Sequence, residues 1–388
     1  MLHRGKAVAA LEAKAERFVG FETDLRDALA DYERSLDRLA SMTREEIDTA
    51  LAGMDAPGAR PTAEHDMCPR VVMPFGRRWV DHEEARAWAL GVLRGVPTVA
   101  VDGSQITPSK DFSMPVGAVQ VGWFMNPHDA ARPYVKDIAF DVLAPDELAS
   151  DEEDPAGFPD WRVNARRFVL ECEKLIEFVV DQRDPVVRPV CFFDGSLILS
   201  FVQHMLPERQ RAYVDAVTAL LAASEAHRVP VVGYVDTSYA RDLVAMLDAV
   251  MGKQSHQSVS DGALLRSRMG WGDRSTAFVC ARDDSVLQRY YEQVCFVYLK
   301  TTSDRPPARL EVPRWVVEDG ELEHTVDVVR AECVVGNGYP YAVEAADAVA
   351  VITMQDRARF YRLFQEFAKR EGLPLRLSRK AASKQGRR

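Results

Sequence analysis

An α/β fold, one mixed sheet with helices on both faces, is predicted for this chain by three observations. Short apolar runs rich in β-branched and aromatic residues (VPTVAV, RPVCFF, PVVGYV) stop at turn residues, the pattern of buried strands. Stretches with apolar residues at helical spacing separate them. Two of the runs end in the same tripeptide, Asp102-Gly103-Ser104 and Asp194-Gly195-Ser196, which places a carboxylate at the carboxyl edge of a central strand, where open α/β sheets bind ligands.

In chain order, residues 7–55 read as two helical segments. Leu25, Leu29, Tyr32, Leu36 and Leu39 recur at helical spacing, and Thr43-Arg44-Glu45-Glu46 is a capping box that restarts a helix. Residues 56–75, with four prolines, read as a linker. Strands follow at 97–102, 115–125 and 134–142, then an acidic loop at 145–160. A helix at 162–181, a strand at 189–194, a helix at 208–227, a strand at 230–235 and a helix at 239–250 complete the series. The order βββαβαβα is that of an RNase H-like mixed sheet core, an analogy that rests on element order. Residues 258–330 read as a β-rich, hairpin-bearing insertion, and one last helix covers 342–370. The expected regions are an N-terminal helical extension and linker over 1–75, a core domain over 95–370 and a basic tail over 371–388.

The residues that carry chemistry are carboxylates. In the inferred topology Asp102 and Asp194 end neighbouring strands, and such a pair can hold a divalent metal that drives attack on a phosphodiester. The plainer reading is that Asp-Gly is a turn and Ser caps the next helix. The helix at 162–181 offers Glu171, Glu173 and Glu177. Phe168, Cys172, Leu175, Ile176 and Val179 form its apolar stripe, so Glu177 falls nearly opposite, and Glu171 lies closer to the stripe's centre than Glu173. Glu171 is therefore the favoured ligand. Asp347 precedes the apolar AVAVI segment and is either a site carboxylate or a helix-surface acid. Asp236 ends a strand, but Asp236-Thr237-Ser238 is also a good helix N-cap. Arg309, Arg274 and Lys300 read first as solvated surface cations, each with a hold on a backbone phosphate as its alternative. Mg²⁺ or Mn²⁺ suits this oxygen-donor inventory.

Composition bounds the rest. The chain is 47% apolar and 28% charged, as in a soluble globular protein, and no run approaches the ~20 apolar residues of a membrane span. The N-terminus carries charges throughout and does not read as a signal peptide, and six widely spaced cysteines without a CxxC read as reduced core residues of a cytoplasmic protein. The net charge of −10 hides a tail, 369–388, at +7. The tail reads either as a nucleic-acid arm or as a solubilising end. Absent GxxxxGK[ST], GxGxxG and Gly-x-Ser-x-Gly motifs weigh against nucleotide hydrolysis, dinucleotide chemistry and esterase activity, and no His pair has zinc spacing.

AVDGSQ, FFDGSL, GYVDTSYARDL, CFVYL at 295–299, ARLEVP at 308–313 and GYPYAVEAAD resemble, in the same order, the NurA nuclease domain, over about 95–365. The resemblance implies a Mn²⁺-dependent DNA nuclease with an RNase H-like core and a two-metal mechanism, acting as a homodimer with the HerA hexameric ATPase in resecting broken DNA ends. It matches Asp102 and Asp194 to the metal-binding aspartates, with Asp102 bridging the ions, and Glu171 to the helix glutamate. The family often has His where this chain carries Asp347. Two rivals come from other classes: a non-catalytic RNase H-like adaptor that docks on a translocase, and a metal phosphatase acting on small molecules. Intact Asp102, Asp194 and a helix glutamate argue against the first; the absence of small-ligand motifs argues against the second.

Overall fold

The computed structural model describes residues 2–68, 70–149, 160–181, 189–284, 287 and 290–376. Most of the acidic loop and residues 377–388 of the basic tail lie outside the described residues. The chain divides into two compact units.

The unit that holds the Asp-Gly-Ser motifs comprises residues 79–234, 286–290 and 315–388. Its elements are α1 (His82–Leu93), β1 (Thr98–Ile106), β2 (Gly117–Asn126), β3 (Val135–Leu143), α2 (Asp160–Val180), β4 (Val190–Asp194), α3 (Pro207–His227), β5 (Val231–Val235), α4 (Leu322–Val335), α5 (Tyr341–Ala350) and α6 (Met354–Arg370). The five strands lie in the order β3-β2-β1-β4-β5. Strands β1, β2 and β3 pair antiparallel, and β4 joins β1 in parallel, as β5 joins β4. This is the mixed RNase H-like sheet that the element order implies. Helix α2 packs on β1 and β4, and its Phe168 ring meets Phe193 of β4 edge-on at 5.6 Å. Helix α5 takes the opposite face of β1 and β2. It approaches so closely at Gly122 that a Cβ there would stand 2.7 Å from the Ala350 nitrogen, which is why that strand position is glycine.

Two expectations change here. Strand β1 does not stop at Asp102 but runs through Gly103 to Ile106, paired residue by residue with β2. Asp102 is thus inside a strand, and only the second motif turns, at Gly195 with φ +138°. The single last helix is two. Residues 351–353 are β-branched and lie outside both helices, and a reciprocal capping box between Thr353 and Asp356 starts α6 afresh.

The other unit gathers residues 1–78, 235–285 and 291–314. The stretch read as a linker supplies strands Gly58–Pro61 and Val72–Met73. Gly58–Pro61, Phe278–Ala281, Val294–Leu299 and Ala308–Pro313 form a run of antiparallel strands. The β-rich segment ends earlier than 330, because α4 belongs to the motif-bearing unit. Helix Ala15–Ala40 buries Tyr32, Leu36 and Leu39, and the Tyr32 hydroxyl donates to Asp248 at 2.7 Å. Its first turns leave Phe18, Val19 and Phe21 more than half exposed.

The cations proposed from sequence lie inside this unit and are buried. Arg309 lies 3.9 Å above the Phe296 ring and pairs with Asp242 at 2.6 Å and Glu311 at 2.7 Å. Arg274 pairs with Glu64 at 2.8 Å, and the Lys300 ammonium donates to the Arg305 carbonyl. Buried charge persists where partners compensate it, so none of the three is a solvated surface cation. Asp236 does not cap the next helix. That helix begins at Asp242, and its Leu243 and Val244 N–H groups donate to Asp261.

Candidate metal centre

The register of the sheet decides where the two aspartates point. Val101 pairs with Phe193 across parallel strands β1 and β4, and Asp102 and Asp194 each stand one residue further on. Neighbours in register leave a sheet on the same face. Asp102 also stands opposite Gly122, so both lie on the face that α5 covers. Helix α5 brings Asp347, which is exposed. The Tyr339 hydroxyl, just before α5, donates to the Asp194 carboxylate at 3.0 Å.

Glu171 arrives from α2, on the other side, through a gap at Gly103. A Cβ on Gly103 would stand 2.5 Å from Glu171 Oε1 and 2.8 Å from Arg167 Cγ. The glycine of the first motif therefore admits two charged side chains over the backbone of β1. Glu171 is 6% exposed, and its Oε1 is buried without a hydrogen-bond partner. Arg167, one helical turn earlier, donates through Nη1 to the Gly103 carbonyl at 3.0 Å and places Nε 3.7 Å from Glu171 Oε1.

The electrostatics follow from this crowding. Burial pushes Glu171 up to about 8, with Asp102 and Asp194 adding to the rise and Arg167 opposing it. Burial also lifts Asp102 to about 6, helped by the charges of Asp194 and Asp347 and opposed by the Gly103 N–H and by Arg167. Asp194 is raised for the same leading reason, with Asp347 contributing and the Tyr339 hydroxyl pulling the other way. Asp102, Glu171 and Asp194 thus sense one another, and burial disfavours the charged form of each. They do not converge fully: among the described residues no three His, Cys, Asp or Glu side chains gather closely enough to hold an ion as they stand. The donor set still suits a hard divalent cation. It is all oxygen, it carries an orphaned buried carboxylate oxygen, and it opens onto a backbone cradle that a Cβ would fill.

The remaining acids have other partners. Glu173 reaches back to Arg166 at 3.6 Å and Glu177 pairs with Lys174, both on the solvated side of α2. Asp236 and Arg309 belong to the other unit, where Arg305 faces Asp236 at 3.9 Å. Sequence reasoning overlooked Arg167 and Tyr339. Arg167 stands four residues before Glu171, a spacing that shares a helix face, and Tyr339 lies inside the GYPY stretch already singled out.

Among solved structures, the chain is similar to NurA crystallised with manganese, at 9% identity and a TM-score of 0.39, over 70% of this chain and 89% of that one. It is also similar to endonuclease V from Bacillus subtilis, at 11% identity and a TM-score of 0.31, over 70% of this chain and 82% of that one. The catalytic domain of human endonuclease V is a further similar structure, at 15% identity and a TM-score of 0.31, over 76% of this chain and 95% of that one. Among curated proteins none matches the sequence. The NurA domain itself matches residues 96–352, well over half of the 388 residues and spanning Asp102, Glu171, Asp194 and Asp347. On that match, the chain belongs to the NurA family of nucleases.

Proposed function

We propose that this nuclease hydrolyses DNA phosphodiester bonds with Mn²⁺ or Mg²⁺, using two ions, and that it resects DNA ends with a HerA-type hexameric ATPase. The observation that carries the reading is the placement of Asp102 and Asp194 on one sheet face, with the buried Glu171 Oε1, which has no hydrogen-bond partner, entering over Gly103. Asp102, Asp194 and Glu171 would hold the metal, and Asp347 would supply the fourth carboxylate. When bound, such ions lower the pKa of a water and stabilise the leaving oxygen. The chain's own part is to fix the ligands. The β1–β4 rungs align the two aspartates, Tyr339 orients Asp194, and α2 delivers Glu171. The nuclease domain is assigned to 95–370, with 1–75 as its N-terminal extension and 371–388 as its tail.

The test is digestion of end-labelled linear and circular DNA in Mn²⁺ and in EDTA. Linear DNA should be degraded in Mn²⁺ and spared in EDTA. A metal-loaded protein that leaves both DNAs intact would favour the adaptor, and release of phosphate from a small ester with intact DNA would favour a phosphatase.

Assembly supports a second measurement. Exposed Phe18 and Phe21 continue the helix stripe that Tyr32, Leu36 and Leu39 bury, so apolar surface remains to be covered. We propose a cytoplasmic homodimer that docks on the ATPase. Light scattering at micromolar concentration should give twice the 43.4 kDa chain mass. A monomer whose mass does not change on adding the ATPase would overturn it. Among the described residues no helix is long and apolar enough to cross a membrane.

A further inference from the structure

We propose that Arg167 is a substrate-binding residue that grips a backbone phosphate of the DNA strand entering the carboxylate site, an inference that rests on the nuclease reading. Its placement and its free donors both point there. Arg167 lies on α2 one turn before Glu171, and its stem passes over Gly103, where any side chain would exclude it. Nη1 is committed to the Gly103 carbonyl at 3.0 Å. Nε is buried and makes no hydrogen bond, since Glu171 Oε1 is 3.7 Å away, beyond hydrogen-bond reach. The guanidinium is thus pinned at one corner, while the side chain as a whole stays 34% exposed.

The neighbouring cations of α2 are held otherwise. Arg166 is held by Asp141 at 2.8 Å and by Glu173 at 3.6 Å, and Arg162 lies 4.8 Å over the Trp161 ring. Lys174 pairs with Glu177 and sits over Trp123. Among these cations Arg167 lies over Gly103 beside Glu171, and its ion pair with Glu171 Oε1, at 3.7 Å, is longer than a hydrogen bond. A site built from four carboxylates repels a phosphodiester, and a fixed cation at its rim reverses that locally. The Nη2 edge of the guanidinium, which is not buried, suits phosphate oxygens in a planar geometry that a lysine ammonium does not offer.

The test compares Arg167→Met and Arg167→Lys with the wild-type protein. Binding of end-labelled linear duplex DNA is measured across a salt series in Ca²⁺, and Mn²⁺ binding is measured by calorimetry without DNA. For Arg167→Met we expect about tenfold weaker DNA binding and a log–log salt slope shallower by about 0.9, the loss of one phosphate contact. Arg167→Lys should keep the slope but lose part of the affinity, because charge remains and the fork does not. Mn²⁺ affinity should not fall in either variant. Unchanged DNA affinity and slope in Arg167→Met, with weaker Mn²⁺ binding, would overturn the proposal and make Arg167 a support for Glu171. Should Arg167→Met prove unfolded by circular dichroism, the lysine variant decides: wild-type DNA affinity there would overturn it. A wild-type protein that binds no DNA would instead remove the nuclease reading beneath it.

Discussion

Asp102→Asn and Asp194→Asn are each expected to lower Mn²⁺-dependent DNA cleavage by roughly three orders of magnitude, the upper end of what one removed charge-stabilising group costs in an enzyme site. Both carboxylates leave the same face of neighbouring parallel strands, one residue past the rung Val101–Phe193. Neither is spent on a salt bridge. Asp102 has the Gly103 N–H, and Asp194 has the Tyr339 hydroxyl, and an amide can replace the carboxylate oxygen in either bond. The amide keeps shape and some hydrogen bonding but gives up the anion that a divalent cation requires. Folding should survive, because each aspartate is raised by burial and by its neighbours and so carries its charge at a cost. The check is single-turnover cleavage beside thermal unfolding of the same samples. Residual cleavage within tenfold of wild type in either variant would remove that aspartate from the site.

Glu171→Gln is expected to flatten the pH dependence of stability. Glu171 rises from 4.5 to about 8 in the folded chain, so between those values the folded state holds a proton that the unfolded state has lost. Stability then falls as pH rises through this window, by about 1.4 kcal/mol per pH unit at most, which amounts to a few kcal/mol in all. Asp102 adds to the same trend between 3.8 and about 6. Without metal, the wild-type protein should therefore unfold at a higher temperature at pH 5 than at pH 8. Added Mn²⁺ binds the deprotonated carboxylates, so it should reverse the trend. In Glu171→Gln the metal-free protein should be more stable than wild type at pH 8, and its gain from Mn²⁺ should shrink. Thermal unfolding from pH 5 to pH 9, with and without Mn²⁺, reads both effects. A metal-free variant less stable than wild type at pH 8 would show that the Glu171 anion is already compensated, against its unpartnered Oε1.

Much of the sheet was legible because strand and helix signals are local. VPTVAV and RPVCFF are apolar over the length of one strand, and the βββαβαβα order implies the strand neighbours found in β3-β2-β1-β4-β5. Helical phase alone separated Glu171 from Glu177, and the structure buries the first and exposes the second. What lay beyond the sequence was whatever depends on contacts between distant residues. Asp-Gly reads as a turn from composition, yet Gly103 continues a strand because α2 needs the space above it. Arg309 reads as a spare cation until Asp242, far away in sequence, is seen to neutralise it. By itself the sequence determined the strands and helices around the two motifs and the carboxylates available to the site, because periodicity and residue chemistry act over a few positions. Tertiary structure decided which charges are buried together, which are compensated and which, like Glu171 and Arg167, are left facing one another, because Coulomb energy and desolvation depend on distances in space that local sequence does not encode.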